Sequence, residues 1–153
     1  MHVFFDIGNT LMSGPGSPAK KIANRFYLNT NTVANYIYTR NIQSPEELID
    51  RLKEKWGVSD DVFLHTLWFR QKRLACPIPG GRELLASMEV HYTCISNIWQ
   101  PFYEGFQEHY DYVNTVASHK VGLLKPGLAI FATALGGLDP RDCIMVGDSY
   151  PND

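Results

Sequence analysis

FFDIGNTL, residues 4–11, drives an apolar run into a core and ends it on one carboxylate, Asp6. Val3, Phe4 and Phe5 have the composition of a strand buried in a sheet. Gly8, Asn9 and Thr10 then carry turn chemistry. Position 8, where a second carboxylate would complete an acid pair, is a glycine.

Working outward, three further runs resemble this one. Together with His2–Ile7, the stretches His91–Ser96, Tyr112–Ala117 and Cys143–Val146 read as buried strands. Helical patterns fall among them. Gly81–Met88 sets Leu84, Leu85 and Met88 on one face, and Pro126–Leu135 does so with Leu128, Ile130, Phe131 and Leu135. Strands alternating with helices imply βαβ units and a parallel sheet, a three-layer Rossmann-like α/β core.

Residues 13–76 differ, showing several helix starts and no convincing strand. Ser44-Pro45-Glu46-Glu47 places a hydroxyl cap, a first-turn proline and two acids where a helix begins. Leu48, Leu52, Lys55 and Trp56 follow near one face before Gly57. Ser59-Asp60-Asp61 opens another helix, with Val62, Leu64, Leu67 and Trp68 on its apolar side. Ser17–Leu28 and Thr30–Tyr38 also read as helices. The expected organisation is a core of residues 1–12 and 77–153 and an all-α insertion of residues 13–76 directly after the first strand. The insertion's aromatics (Phe26, Tyr27, Tyr36, Tyr38, Trp68 and Phe69) are expected mostly in its own core, with one or two facing the crevice.

Bulk properties exclude several classes. The chain has 153 residues, 44% of them hydrophobic and 20% charged, with a net charge of −2 and no basic block. The field on which nucleic-acid binders rely is missing. No stretch approaches the ~18 apolar residues of a membrane span, and no secretory signal is visible. Cys76, Cys94 and Cys143 form neither a CxxC pair nor a zinc spacing. A reducing, cytoplasmic setting is the expectation. The five histidines (His2, His65, His91, His109 and His119) share no motif and read as structural or exposed.

The chemistry lies at the strand ends. The first ends in Asp6-Ile7-Gly8-Asn9-Thr10, the second in Ser96-Asn97, and the last in Gly147-Asp148-Ser149 with Asn152-Asp153 beyond. One aspartate after a strand reads as a turn residue. Polar groups ending three separate strands of a parallel sheet read as one site, because the carboxyl ends of such strands line the ligand crevice.

DIGNT, ISN, LKPGLAIF and VGDSYPND, in that order, resemble the four motifs of the haloacid dehalogenase superfamily, and the match extends from Met1 to Asp153. The resemblance implies that residues 13–76 are a C1-type cap. It makes Asp6 a nucleophile that forms an aspartyl-phosphate. It makes Asp6, the Gly8 backbone carbonyl, Asp148 and Asp153 the surroundings of Mg²⁺, with Asp153 acting through water or by pairing with Lys125. Lys125 would neutralise Asp6 and the transferring phosphoryl group, a part for which Lys120 lacks the Lys-Pro context. Thr10, Ser96, Asn97 and Lys125 would hold phosphate oxygens. The implied substrate is a small phosphorylated metabolite.

Two departures qualify the likeness. In the usual pattern an aspartate at position 8 serves as general acid and base, work typically worth 10²–10⁴-fold. Gly8 can do neither. Phosphonate-cleaving relatives use a cap lysine, for which Lys20 or Lys21 could serve, and an acid such as Glu46 or Asp50 could stand in. Alternatives are a weakly active or non-catalytic phosphate-binding regulator and a 2-haloacid dehalogenase, although dehalogenases lack the acids of the fourth motif. The second departure is the end of the sequence: relatives run on into another helix and strand. The sheet edge is therefore expected to be covered by a further segment or by a partner chain, including a second copy.

Overall fold

Alternation along the first strand decides the layering. In the computed structural model, which describes residues 1–153, β1 (His2–Phe5) sends Val3 and Phe5 to one side of the sheet and Phe4 to the other. That is the two-residue period of a strand. Next in the chain is a small ribbon of β2 (Met12–Ser13) and β3 (Cys76–Pro77). The main sheet adds β4 (His91–Ser96), β5 (Thr115–Ala117) and β6 (Cys143–Val146) in the order β5-β4-β1-β6, all parallel.

Helices cover both faces. Four of them, α1 (Pro18–Phe26), α2 (Thr30–Tyr38), α3 (Pro45–Trp56) and α4 (Asp61–Arg73), lie between β2 and β3. In the sheet region, α5 (Gly81–Ser87) and α6 (Gln100–Tyr110) close over Val3 and Phe5 with Leu85, Phe106 and Tyr110. After a single turn, α7 (Ser118–Val121), α8 (Leu128–Leu135) covers Phe4 and Ile95 with Ile130. The chain runs outward from β1 through β4 to β5, then returns to β6 on the far side of β1. The order reverses between β1 and β6, where open α/β sheets bind their ligands.

The four inserted helices pack around a cluster of their own, with Ile22, Val33, Ile37, Leu48, Leu52 and Leu64 at its centre. Each is capped by a side chain that accepts the N–H three residues on: Ser17 from Lys20 at 3.2 Å, Asn29 from Thr32 at 3.0 Å, Ser44 from Glu47 at 3.1 Å and Asp60 from Phe63 at 3.0 Å. The ribbon pairs Met12 with Pro77 and Ser13 with Cys76, holding together the two strands that lead into and out of the block. The block docks through an edge-on pair of Trp68 and Trp99, 5.4 Å between ring centroids. Lys72 adds ion pairs to Glu104 at 3.1 Å and Glu108 at 3.4 Å.

Several boundaries and faces depart from expectation. β1 stops at Phe5 because the Ile7 carbonyl accepts the N–H groups of Leu11 and Met12 and closes a loop. β5 begins only at Thr115, and α8 only at Leu128, since Pro126-Gly127 forms a turn with Gly127 N–H donating to Leu124 O. Helix α6 has no counterpart in the pattern reading. Its Gly105 lets it approach the end of α4 so closely that a Cβ would lie 2.6 Å from that of Ala75. Val62 faces solvent because the buried stripe of α4 is Leu64, Leu67, Trp68 and Gln71. Leu84, Leu128, Tyr27 and Phe69 are likewise exposed instead of packed. No helix is long and apolar enough to cross a membrane.

Candidate active site

Three loops converge where the strand order reverses. The loop after β1 winds around Ile7: the N–H groups of Leu11 and Met12 donate to its carbonyl at 3.0 and 2.9 Å. Such a turn needs one left-handed residue, and Asn9 takes it at φ 55°, as short polar side chains tolerate. The Asn9 amide then donates to Asp148 Oδ2 at 3.0 Å, linking the first loop to the last.

Asp6, Asp148 and Asp153 each bring a carboxylate oxygen within 4.8 Å of the others. Lys125, only 4% exposed, stands among them. Its ammonium lies 3.1 Å from Asp6 Oδ1 and donates to Asp153 Oδ1. Asp6 Oδ1 also accepts the Ile7 N–H at 2.8 Å, leaving Oδ2 as its freer oxygen. Burial raises the Asp6 carboxyl above its ordinary value, against the opposing pull of Lys125, the Ser96 hydroxyl and the Ile7 N–H.

The other residues singled out in the sequence divide by role. Ser96 is buried beside Asp6. The Asn97 amide is engaged with the backbone of Lys125: its Nδ2 donates to Lys125 O at 2.9 Å and its Oδ1 accepts from Lys125 N at 2.8 Å. It ties the second loop to the third. Both oxygens of Asp153 are in use, Oδ1 by Lys125 and Oδ2 by the Ser149 N–H at 3.0 Å. In this geometry Asp153 holds the lysine. Gly8 sits at the rim, and a Cβ built on it meets nothing within 4 Å. The Thr10 hydroxyl is buried without a hydrogen-bond partner, and Thr10 borders a depression with Phe5, Leu11 and Val146. Lys120 lies over the Tyr103 ring. The Lys21 ammonium donates to Pro15 O, and Glu46 binds His65 at 2.9 Å.

Sequence reading passed over three supports. Asn9 carried a signal, an asparagine in a turn position. Ser118 and His119 carried none, because they act from α7, just after β5, onto the loop after β4. Ser118 Oγ accepts the Ile98 N–H at 2.9 Å and donates to Ile98 O at 3.1 Å, and His119 Nδ1–H donates to the same carbonyl at 3.0 Å.

Three carboxylates and one ammonium leave two negative charges uncompensated. Like charges this close repel by on the order of 3 kcal/mol per pair at an effective dielectric of about 20. The donor set is all oxygen, which suits a hard divalent cation such as Mg²⁺. These residues fit the ion.

No protein-family model and no curated protein matches the chain in sequence. Solved structures do match. A HAD family enzyme of Bacteroides thetaiotaomicron, in complex with magnesium and inorganic phosphate, superposes with a TM-score of 0.68 at 18% identity, over 99% of this chain and 86% of its own. The chain has the haloacid dehalogenase-like fold. A predicted HAD-like family hydrolase of Porphyromonas gingivalis shares it with a TM-score of 0.67 at 14% identity, over 99% of this chain and 83% of that one. So does a 2-haloacid dehalogenase of Pseudomonas syringae pv. Tomato, with a TM-score of 0.59 at 18% identity, over 99% and 79%. In the HAD-like fold of this chain, the helices between β2 and β3 stand beside the strand-end rim, and a cavity of about 210 Å³ lies between the two.

Proposed function

We propose that the protein is a Mg²⁺-dependent phosphohydrolase of small phosphorylated metabolites, working through an aspartyl-phosphate on Asp6. The observation that carries this reading is the meeting of Asp6, Asp148 and Asp153 within 4.8 Å around the buried Lys125. A bound Mg²⁺, held by Asp6, the Gly8 carbonyl and Asp148, would lower the repulsion between the Asp6 carboxylate and a phosphate dianion. Asp6 Oδ2 is the oxygen free to attack. Lys125 offsets charge on Asp6 and on the phosphoryl group, while Asp153 and Asn97 keep it in place. Ser96 and the backbone N–H groups beside it offer donors for phosphate oxygens. Helices α1–α4 act as a cap that chooses the substrate and keeps water from the rim. The three free cysteines suit a reducing, cytoplasmic setting.

Gly8 favours one rival, a protein that binds phosphate and turns over weakly or not at all. The acids after β6 speak against a dehalogenase. The test is hydrolysis of 4-nitrophenyl phosphate with and without Mg²⁺, beside Asp6→Asn. The expected outcome is metal-dependent turnover that Asp6→Asn abolishes. Phosphate binding without turnover in the wild-type protein supports the rival, and chloride release from 2-chloropropionate supports the dehalogenase.

A further inference from the structure

The residues that follow Asp6 and Ser96 at the strand ends, Gly8 and Asn9 on one loop and Asn97 and Ile98 on the other, line the cavity of about 210 Å³. It therefore starts where a phosphoryl group on Asp6 would end, and on the phosphohydrolase reading it receives the leaving group. Its walls carry no aspartate, glutamate, histidine, lysine or arginine, and Tyr38 is their only titratable residue. Burial pushes the Tyr38 phenol above its ordinary value. The acids considered as stand-ins for position 8 are elsewhere: Glu46 binds His65, Asp50 is exposed, and neither lines the cavity. Gln71 has both ends engaged, accepting from Trp99 Nε1 at 3.3 Å and donating to Gly16 O at 2.9 Å. No carboxyl or imidazole lines the cavity to give a departing oxygen its proton, and the Tyr38 phenol, its proton held more tightly by burial, is a poorly matched acid at neutral pH.

We propose that the substrates are aryl or acyl phosphates, whose leaving oxygen departs as a stable anion without a proton from the protein. A phenol or a carboxylic acid, ionising near about 10 and about 4, leaves unaided. An alkoxide, nearer the ~16 of water, does not. Asp6 Oδ2 bonds to phosphorus as the bond from phosphorus to the leaving oxygen breaks, and the bonding pair departs on the phenolate or carboxylate. Water then bonds to phosphorus and the bond to Asp6 breaks, restoring the carboxylate. One proton of that water stays on phosphate and the other passes to solvent. The walls suit an uncharged group, since Met12, Tyr38, Ile98, Trp99 and Phe102 supply apolar and aromatic surface. An apolar cavity of about 150 Å³ suffices for benzene, so this one admits a substituted ring.

The test is kcat/KM of the full chain with Mg²⁺ over acetyl phosphate, a series of substituted phenyl phosphates, and ethyl and glycerol phosphates. The rate is expected to rise steeply as the leaving-group pKa falls. Gly8→Asp, whose side chain enters open space, is expected to raise the ratio of alkyl to aryl phosphate turnover about 10²–10⁴-fold. Alkyl esters cleaved as fast as phenyl esters by the wild-type protein would mean that an acid reaches the leaving oxygen. That result overturns the inference and leaves the phosphohydrolase reading standing. Failure to hydrolyse any of the series overturns both.

Discussion

At the scale of single residues, the site depends on close approaches that leave no slack. Gly147 lies against the Asp153 carboxylate so tightly that an added Cβ would collide with Oδ2. Gly147→Ala should push Asp153 off Lys125 and let the buried ammonium swing. The expected result is a loss of about tenfold or more in kcat, short of the 10²–10³ that removing a whole electrostatic donor typically costs, with little change in thermal midpoint because Gly147 is exposed. His119 makes a separate case. Burial holds its imidazole at about 4, against 6.5 for an ordinary histidine. The folded state thus refuses a proton that the unfolded chain accepts, so stability present above pH 6.5 drains away as pH falls toward 4. Linkage makes the loss about 2 kcal/mol between pH 7 and pH 5. Urea titrations at the two pH values should show it, and His119→Asn, which can still donate to Ile98 O, should remove most of it.

At the scale of elements, the helix caps were legible because capping is a local event. Ser17, Ser44 and Asp60 stand in the sequence where they act, each three residues before the N–H it accepts. Ser44→Ala should cost about 1 kcal/mol, read as a lower denaturation midpoint, and should leave kcat/KM unchanged because α3 lines neither the rim nor the cavity. Helix α6 was not legible. Its stripe is aromatic, and Gly105 at its centre weakens the helical signal, yet that glycine is what lets α6 lie on the end of α4. The ribbon of β2 and β3 was hidden for a related reason: two-residue strands have no period to read, and their pairing joins positions 12 and 77. Val62, Leu84 and Leu128 are apolar and read as inward-facing, but a stripe has only one azimuth, and theirs falls outside it.

At the scale of the whole molecule, the rim should respond to a divalent cation before any substrate is present. A ligand that binds only the folded state stabilises it by about 2.7 kcal/mol at one hundred times its dissociation constant. Mg²⁺ should therefore raise the thermal midpoint in a concentration-dependent way, and Asp148→Asn should abolish the rise. A midpoint indifferent to Mg²⁺ in the wild-type protein would count against the metal site itself.

The sequence alone determined the parallel α/β core, the helical block after the first strand and the strand-end acids Asp6, Asp148 and Asp153, while Lys125 was singled out by the family resemblance. These follow from local pattern: apolar runs of strand length, each ending in polar residues, in one order along the chain. Only the tertiary structure decided that Asn97 holds Lys125, that Asp153 is occupied by that lysine, and that the cavity beside Gly8 is without an acid. Those facts depend on which atoms, dozens of residues apart in the chain, come within about 3 Å of each other. No periodicity records such a distance. It is set by how the loops close once the sheet and its helices are packed.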